Sequence, residues 1–389
     1  MGKMIKVRLN ELGEIITGNT PSKKNKEYYD SNDIPFVKPD DLIDYKITSL
    51  KSSKEFISNA AESKARILKK GSVLFTCIGI IGKVGIIDCD KAAFNQQINA
   101  IVPNDKINNR YLAYCLMYNK NWIKEIANAP VVPIISKSQF EGIEILIDPN
   151  LETQHKIVQV LDKAQALIDK RKEQIKLCDE LIQSLFYDMF GTMDIFKTKW
   201  EIKKLKDIAN YHIGLTYKPS EICDDGIIVL RASNIQNGRI VLDDIVRVNK
   251  NIKSELLVKK GDILMCSRSG SASLVGKAAL IPDLNEKMSF GAFMTIIRSD
   301  YNVYLLNYIR SSAFRSQIRS GATTTINQIT LKMLDNIEVP LPPLELQNLF
   351  AEKVQKIEHQ KQLLQQSLSL LEDNFNSLMQ KAFKGELFQ

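Results

Sequence analysis

The chain has 389 residues, enough for two domains that each bury a core. Its formal net charge of +8 suits a polyanionic partner such as nucleic acid without requiring one. The cysteines at 77, 89, 115, 178, 223 and 266 include no Cys-x-x-Cys pair, and neither a signal-peptide pattern nor a run of eighteen apolar residues is present. A disulfide scaffold and a membrane span are excluded, and a reduced cytoplasmic protein is expected.

In chain order, a short helix is predicted over about 9–16, beginning Leu9-Asn10-Glu11-Leu12 and followed by Gly18. An extended apolar run, Ile34–Lys38, comes next. Lys69-Lys70-Gly71 turns into a buried strand, Ser72–Ile78, and a Gly-rich loop ends at Gly82-Lys83. Strands near 84–88 and 98–102, a helix over 110–127 and a strand over 143–147 lead through proline into a long helix. The same order then returns. A helix is predicted over 205–211 before Gly214, and an extended run over Ile227–Arg231. Lys259-Lys260-Gly261 turns into Asp262–Cys266, and Gly276-Lys277 closes the second loop. Strands near 278–281 and 293–297, a helix over 303–319 and a strand over 337–341 precede a second long helix. Such self-similarity makes a pseudo-symmetric molecule from one chain.

Both long helices carry a 3.5-residue apolar period. The first seam comprises Ile157, Leu161, Ala164, Ile168, Ile175, Cys178, Ile182, Leu185 and Met189. The second comprises Phe350, Val354, Ile357, Leu364, Leu368, Leu371, Phe375, Leu378 and Ala382. Arg171 and Lys361 fall in these series and are expected to snorkel to solvent, or else to fix the register. From Ile157 to Met189 the helix runs roughly 48 Å, whereas a globular body of residues 200–340 is only about 35–40 Å across. An antiparallel pair spares that body from bridging both helix ends. The expected fold is mixed α/β: two similar globular domains separated by two long helices in an antiparallel coiled coil with an internal pseudo-twofold. The expected boundaries are 1–149, 150–191 (first helix), 192–342 and 343–389 (second helix and tail).

Catalytic patterns are missing. His155, His212 and His359 are scattered, and no paired-carboxylate or Ser/His/Asp set stands out. The Gly-Lys sites fail the P-loop pattern, whose flanking positions hold Cys77 and Val84 in one copy and Ser271 and Ala278 in the other. A recognition and assembly role, with no metal, is expected instead. The candidate DNA-contacting residues lie in the loops: Lys38, Lys83, Asn95, Gln96 and Gln97 in the first copy, and Arg231, Ser233, Asn234, Ser267, Arg268, Ser269 and Lys277 in the second. Arginine matches the guanine edge and amide side chains the adenine edge. Each alone also fits a plain surface charge or the start of a strand. The repeated positions Lys38/Arg231 and Lys83/Lys277 favour function.

Leu68–Leu74 with its echo Val258–Leu264, the two Gly-Lys pairs, Ile337–Gln347 with its counterpart Ile143–Gln154, and the tail Ser377–Leu387 together resemble the specificity (S) subunits of type I restriction-modification enzymes. Asp148-Pro149-Asn150 departs from the proline-rich run usual there. The resemblance spans nearly the whole chain. It implies a non-catalytic subunit with two target recognition domains reading a bipartite, interrupted site on double-stranded DNA. It further implies docking of methyltransferase subunits, two being expected, and of restriction/translocase subunits. S-adenosylmethionine, ATP and Mg would belong to those partners, and this chain would hold no cofactor. A subunit of a fused restriction-methylation system, or a coiled-coil adaptor with two protein-binding heads, are the alternatives.

Overall fold

The computed structural model describes residues 4–127, 132–192, 195, 198–320 and 328–388. Two compact units emerge, residues 1–173 with 365–389, and residues 174–364. Both long helices, Leu151–Phe190 and Leu344–Lys384, contribute to both units.

In the first unit, Ile98–Pro103 is the inner strand of a five-stranded sheet, flanked by Gly13–Thr17 and Val73–Thr76. Val84–Ile87 and Thr48–Leu50 complete it. The period of two splits the apolar run Val73–Thr76 between two cores. Val73 and Phe75 face a cluster with the helix Asn109–Glu125 and with Ile157, Leu161, Phe375 and Phe383 of the long helices. Leu74 faces a second sheet through Val37 and Phe94. That second sheet orders Phe56–Ile57, Ile34–Val37, Lys91–Phe94 and Ile67–Lys69. Burial on both faces explains why these strands read as continuous apolar runs.

The second unit repeats the plan. Asn210–Ile213, Met294–Arg298, Ile263–Cys266 and Ala278–Leu280 form its main sheet. Ile263 and Met265 face the helices, while Leu264 and Cys266 face Ile228, Leu230 and Phe290. Both Lys-Lys-Gly turns need glycine, since Gly71 and Gly261 take φ of 93° and 85°.

Within the second unit the long helices are antiparallel, because Asp179 meets Lys361 while Phe186 meets Phe350, ring centroids 5.7 Å apart. In the first unit Lys172 pairs with Glu372 at 2.9 Å. Ile157, Leu161, Ile168, Ile182, Phe350, Phe375 and Ala382 are buried. Ala164, Ile175, Cys178, Leu185, Met189, Val354, Ile357, Leu364, Leu368, Leu371 and Leu378 are half-buried. Lys361 does not snorkel: its side chain is 1 % exposed and ion-paired with Asp179.

Other expectations are corrected. The helices expected at 9–16 and 205–211 end early, at Leu9–Glu11 and Leu205–Ile208. Gly13–Thr17 and Asn210–Ile213 are strands, because a neighbouring strand offers each a full ladder (Ile15 opposite Ile101, Tyr211 opposite Ile297) that outweighs local helix propensity. The helix expected at 303–319 breaks at Ser311 into Asn302–Arg310 and Ser312–Ser320. Ser311 is extended there, and its Oγ donates to the Tyr308 carbonyl at 2.6 Å.

Two buried glutamines fix the corners into the long helices. Gln154 Nε2 donates to the Asp148 carbonyl at 2.8 Å, and Gln347 Nε2 to the Pro342 carbonyl at 2.7 Å.

Candidate nucleic-acid interface

Backbone hydrogen bonds gather the loop residues of each copy at one end of its sheets. In the first unit Lys38 follows the strand Ile34–Val37 and caps the turn Pro39–Asp41, its N–H donating to Asp41 Oδ2 at 2.8 Å. The Asn95 N–H donates to the Val37 carbonyl at 3.1 Å, and the Cys77 N–H to the Gln97 carbonyl at 2.8 Å. Lys83 Nζ donates to the Pro39 carbonyl at 2.9 Å. Lys38, Lys83, Asn95, Gln96 and Gln97 therefore form one group.

The second unit uses the same bonds. The Arg231 N–H donates to Asn234 Oδ1 at 2.9 Å, the Gly291 N–H to the Leu230 carbonyl at 2.9 Å, and the Ser267 N–H to the Phe293 carbonyl at 2.9 Å. Arg231 is thus the counterpart of Lys38, Ser267 of Cys77 and Phe293 of Gln97. Glycine is required beside both turns: a Cβ on Gly18 would lie 2.1 Å from the Asn95 carbonyl oxygen, and one on Gly214 2.3 Å from that of Gly291.

The side chains divide by what already holds them. Asn95 is buried, its Oδ1 accepting from the Gln97 N–H at 3.1 Å and its Nδ2 donating to Gln97 Oε1 at 2.8 Å. Asn234 is buried and donates to the carbonyls of Val241 and Asp244 at 3.0 and 2.8 Å. Ser267 is buried, with Oγ 3.1 Å from the Phe293 carbonyl. Ser269 Oγ accepts from the Ser271 N–H at 3.1 Å. The Lys277 carbonyl accepts from the Cys266 N–H at 2.8 Å. Gln96 is exposed, its Oε1 accepting from Thr20 Oγ1 at 2.7 Å, and Ser233 is also exposed. Lys38 pairs with Glu55, and Arg231 with Asp244 at 2.8 Å. Arg268 is exposed and lies over the Phe293 ring, 5.4 Å from its centroid.

Sequence reasoning missed Glu55 and Asp244, which hold the paired basic positions, and it missed Phe293. Loop lengths differ between the copies, so only the hydrogen bonds align Phe293 with Gln97. The nearby thiols are poor nucleophiles: burial pushes Cys77 up to about 12 and raises Cys266. Among the described residues no cluster of three His, Cys, Asp or Glu side chains can hold a metal ion. No helix there is long and apolar enough to cross a membrane.

A fold doubled in this way, with loop clusters repeated at matching sheet ends, is that of a two-headed recognition protein. The family model described as type I restriction modification DNA specificity domain matches residues 1–177 and 197–373. The chain belongs to that family. It is 24% identical over 405 residues to the type I restriction enzyme MjaIX specificity subunit of Methanocaldococcus jannaschii, covering 98% of this chain and 92% of that one. It is 35% identical over 164 residues to the EcoKI specificity subunit of Escherichia coli K12, covering 40% of this chain and 35% of the other. Its fold is similar to a chain from a structure of type I R-M complex assembly (TM-score 0.60, 18% identity, 99% and 98% coverage). It is also similar to the S subunit from M. genitalium (TM-score 0.52, 15% identity, 98% and 96% coverage).

Proposed function

We propose that each globular domain, over 1–149 and 192–342, reads one half of an interrupted duplex DNA target, and that the long helices between them are the scaffold for partner subunits. The observation supporting this reading is the same loop cluster at the same sheet end in both copies, with a basic residue, Lys38 or Arg231, at the same capping position. Lys38 and Arg231 exchange their carboxylate partners for DNA, because a polyanion competes well for a half-exposed cation. Asn95, Asn234, Ser267, Lys83 and Lys277 position the loops; Ser233 and Arg268 are exposed to meet phosphates or base edges, and Gln96, Gln97 and Ser269 do so with the donor or acceptor atoms their internal bonds leave over.

The chemistry then belongs to partners. Methyltransferase subunits, two per complex, bring S-adenosylmethionine; restriction/translocase subunits bring ATP and Mg. The chain works in the cytoplasm, where its DNA lies. Mapping methylated adenines in DNA from cells with and without this gene tests the reading. An interrupted, non-palindromic motif that vanishes with the gene supports it; identical methylation in both overturns it. The purified chain alone is expected neither to methylate nor to cut DNA. Binding to duplex DNA that weakens steeply with salt separates this reading from a protein-binding adaptor.

A further inference from the structure

We infer that Arg268 and Phe293 form a guanine-reading unit in the second domain, and that the first domain reads its half-site without an equivalent. This deepens the proposed DNA-recognition role and rests on it. Among the arginines of the second unit, Arg231, Arg239, Arg247 and Arg298 are each paired to a carboxylate, and Arg315 lies on the helix Ser312–Ser320 rather than on a recognition loop. Arg310 donates to the Gly238 and Ala278 carbonyls. Arg268, on the recognition loop, has no carboxylate within 4.0 Å among the described residues. Its guanidinium instead lies over an aromatic ring.

The base of that pair is rigid. The Phe293 carbonyl accepts from the Ser267 N–H, the Arg268 N–H and Ser267 Oγ at 2.9, 3.1 and 3.1 Å. Arg268 also bridges to Gln328. Both side chains leave the fold from adjacent, fixed backbone. Phe293 is 57% exposed, so its ring is spent on holding the guanidinium rather than on the core. A guanidinium held over a ring loses rotamer freedom beforehand while its N–H groups stay available to a ligand. Those groups match guanine O6 and N7 in the major groove.

The first domain holds different chemistry at the same hydrogen-bonded positions. Ile78 stands in the place of Arg268, Gln97 in that of Phe293, and Ile134 bridges Ile78 as Gln328 bridges Arg268. Apolar groups and an amide suit thymine methyls and adenine edges. The two half-sites are therefore read by unlike means.

The test uses the full chain with its methyltransferase. The methylation motif is mapped for wild type, Arg268→Gln and Phe293→Leu. The expected result is an essential guanine in one half, which becomes degenerate in Arg268→Gln, with the other half unchanged. Phe293→Leu relaxes the same position more weakly. Purified complex is then titrated with duplex carrying the motif or its 7-deazaguanine version, which lacks N7. Wild type should lose about 5- to 150-fold in affinity on that single-atom change, and Arg268→Gln should lose little. Because wild type carries this second measurement, misfolding of a variant does not decide the outcome. An unchanged motif in Arg268→Gln, or a wild-type complex indifferent to 7-deazaguanine at every guanine, overturns the inference. Methylation that does not depend on the chain at all overturns the underlying DNA reading instead.

Discussion

Phe383, near the end of the second long helix, packs its ring on Tyr111 of the first domain with centroids 5.4 Å apart. Displaced by 193 positions at both residues, Phe190 of the first helix packs on Tyr304 at 4.9 Å. Each globular core is thus completed by the C-terminal end of the helix from the other sequence repeat. Phe375, Met379 and Phe383 close the first core; Ile182, Phe186 and Phe190 close the second.

Phe383→Ala is therefore expected to destabilise the first unit by about 3–5 kcal/mol, the usual cost of a buried Phe truncation. Phe383 also meets Tyr118 at 5.2 Å, so the void has an aromatic lining that cannot readily collapse. Denaturant unfolding of the full chain measures the loss. A change below about 1 kcal/mol would mean that the tail contributes little to this core.

The pair Lys361–Asp179 gives an asymmetric prediction. The Lys361 side chain is buried, whereas that of Asp179 is 52% exposed. Asp179→Asn strands a buried ammonium and should cost about 3–5 kcal/mol. Lys361→Met removes the buried charge and leaves a carboxylate that water can solvate, so it should be near neutral. Equal losses for both variants in thermal unfolding would show that the pair acts as a mutual bond instead.

The seams, the sheet core and the duplication were legible because burial writes a strong period into sequence. Val73–Leu74–Phe75 and Ile157–Leu161–Ile168 carry it at two and at 3.5 residues. The strands Gly13–Thr17 and Asn210–Ile213 were not legible, because what decides them is a partner strand more than 80 residues away. Lys361 was misjudged for a related reason: a seam lysine reads as solvated until Asp179 is placed beside it. At the loops, the repeated basic position showed in sequence as Lys38 and Arg231. Their acid partners and Phe293 did not, since they come from segments of unequal length in the two copies.

Cysteine chemistry yields a prediction in pH. The folded chain holds Cys77 as a thiol up to about 12, while an unfolded chain releases that proton near the ordinary value of 9.0. The unfolded state then binds fewer protons, so stability falls as pH rises from about 9 towards 12, and Cys77 has no effect below that window. Cys77→Ala should flatten this alkaline loss. In the native chain at pH 8, iodoacetamide should label the half-buried Cys89, Cys178 and Cys223 and spare Cys77, Cys115 and Cys266. Rapid native labelling of Cys77, read by peptide mass mapping, would contradict its burial.

The exchange of helix ends predicts what half a chain does. Residues 1–190 retain Tyr111 but lose Phe375, Met379 and Phe383, so the first core is left open on one side. The same fragment carries Ile182, Phe186 and Phe190, which in the full chain close the second core at the corresponding positions. A second copy of the fragment can therefore supply Phe190 to Tyr111, and the first copy can return the contact. Such an isologous dimer buries both open faces with one kind of contact. Residues 1–190 are expected to be dimeric by sedimentation. With the methyltransferase supplied, they should methylate an interrupted palindrome built from the first half-site alone, because both heads are then identical. Phe190→Ala should leave the full chain's first unit intact yet weaken the fragment dimer, since only in the fragment does Phe190 serve the first core. A well-folded monomer of residues 1–190 would show that the two helix ends are not interchangeable.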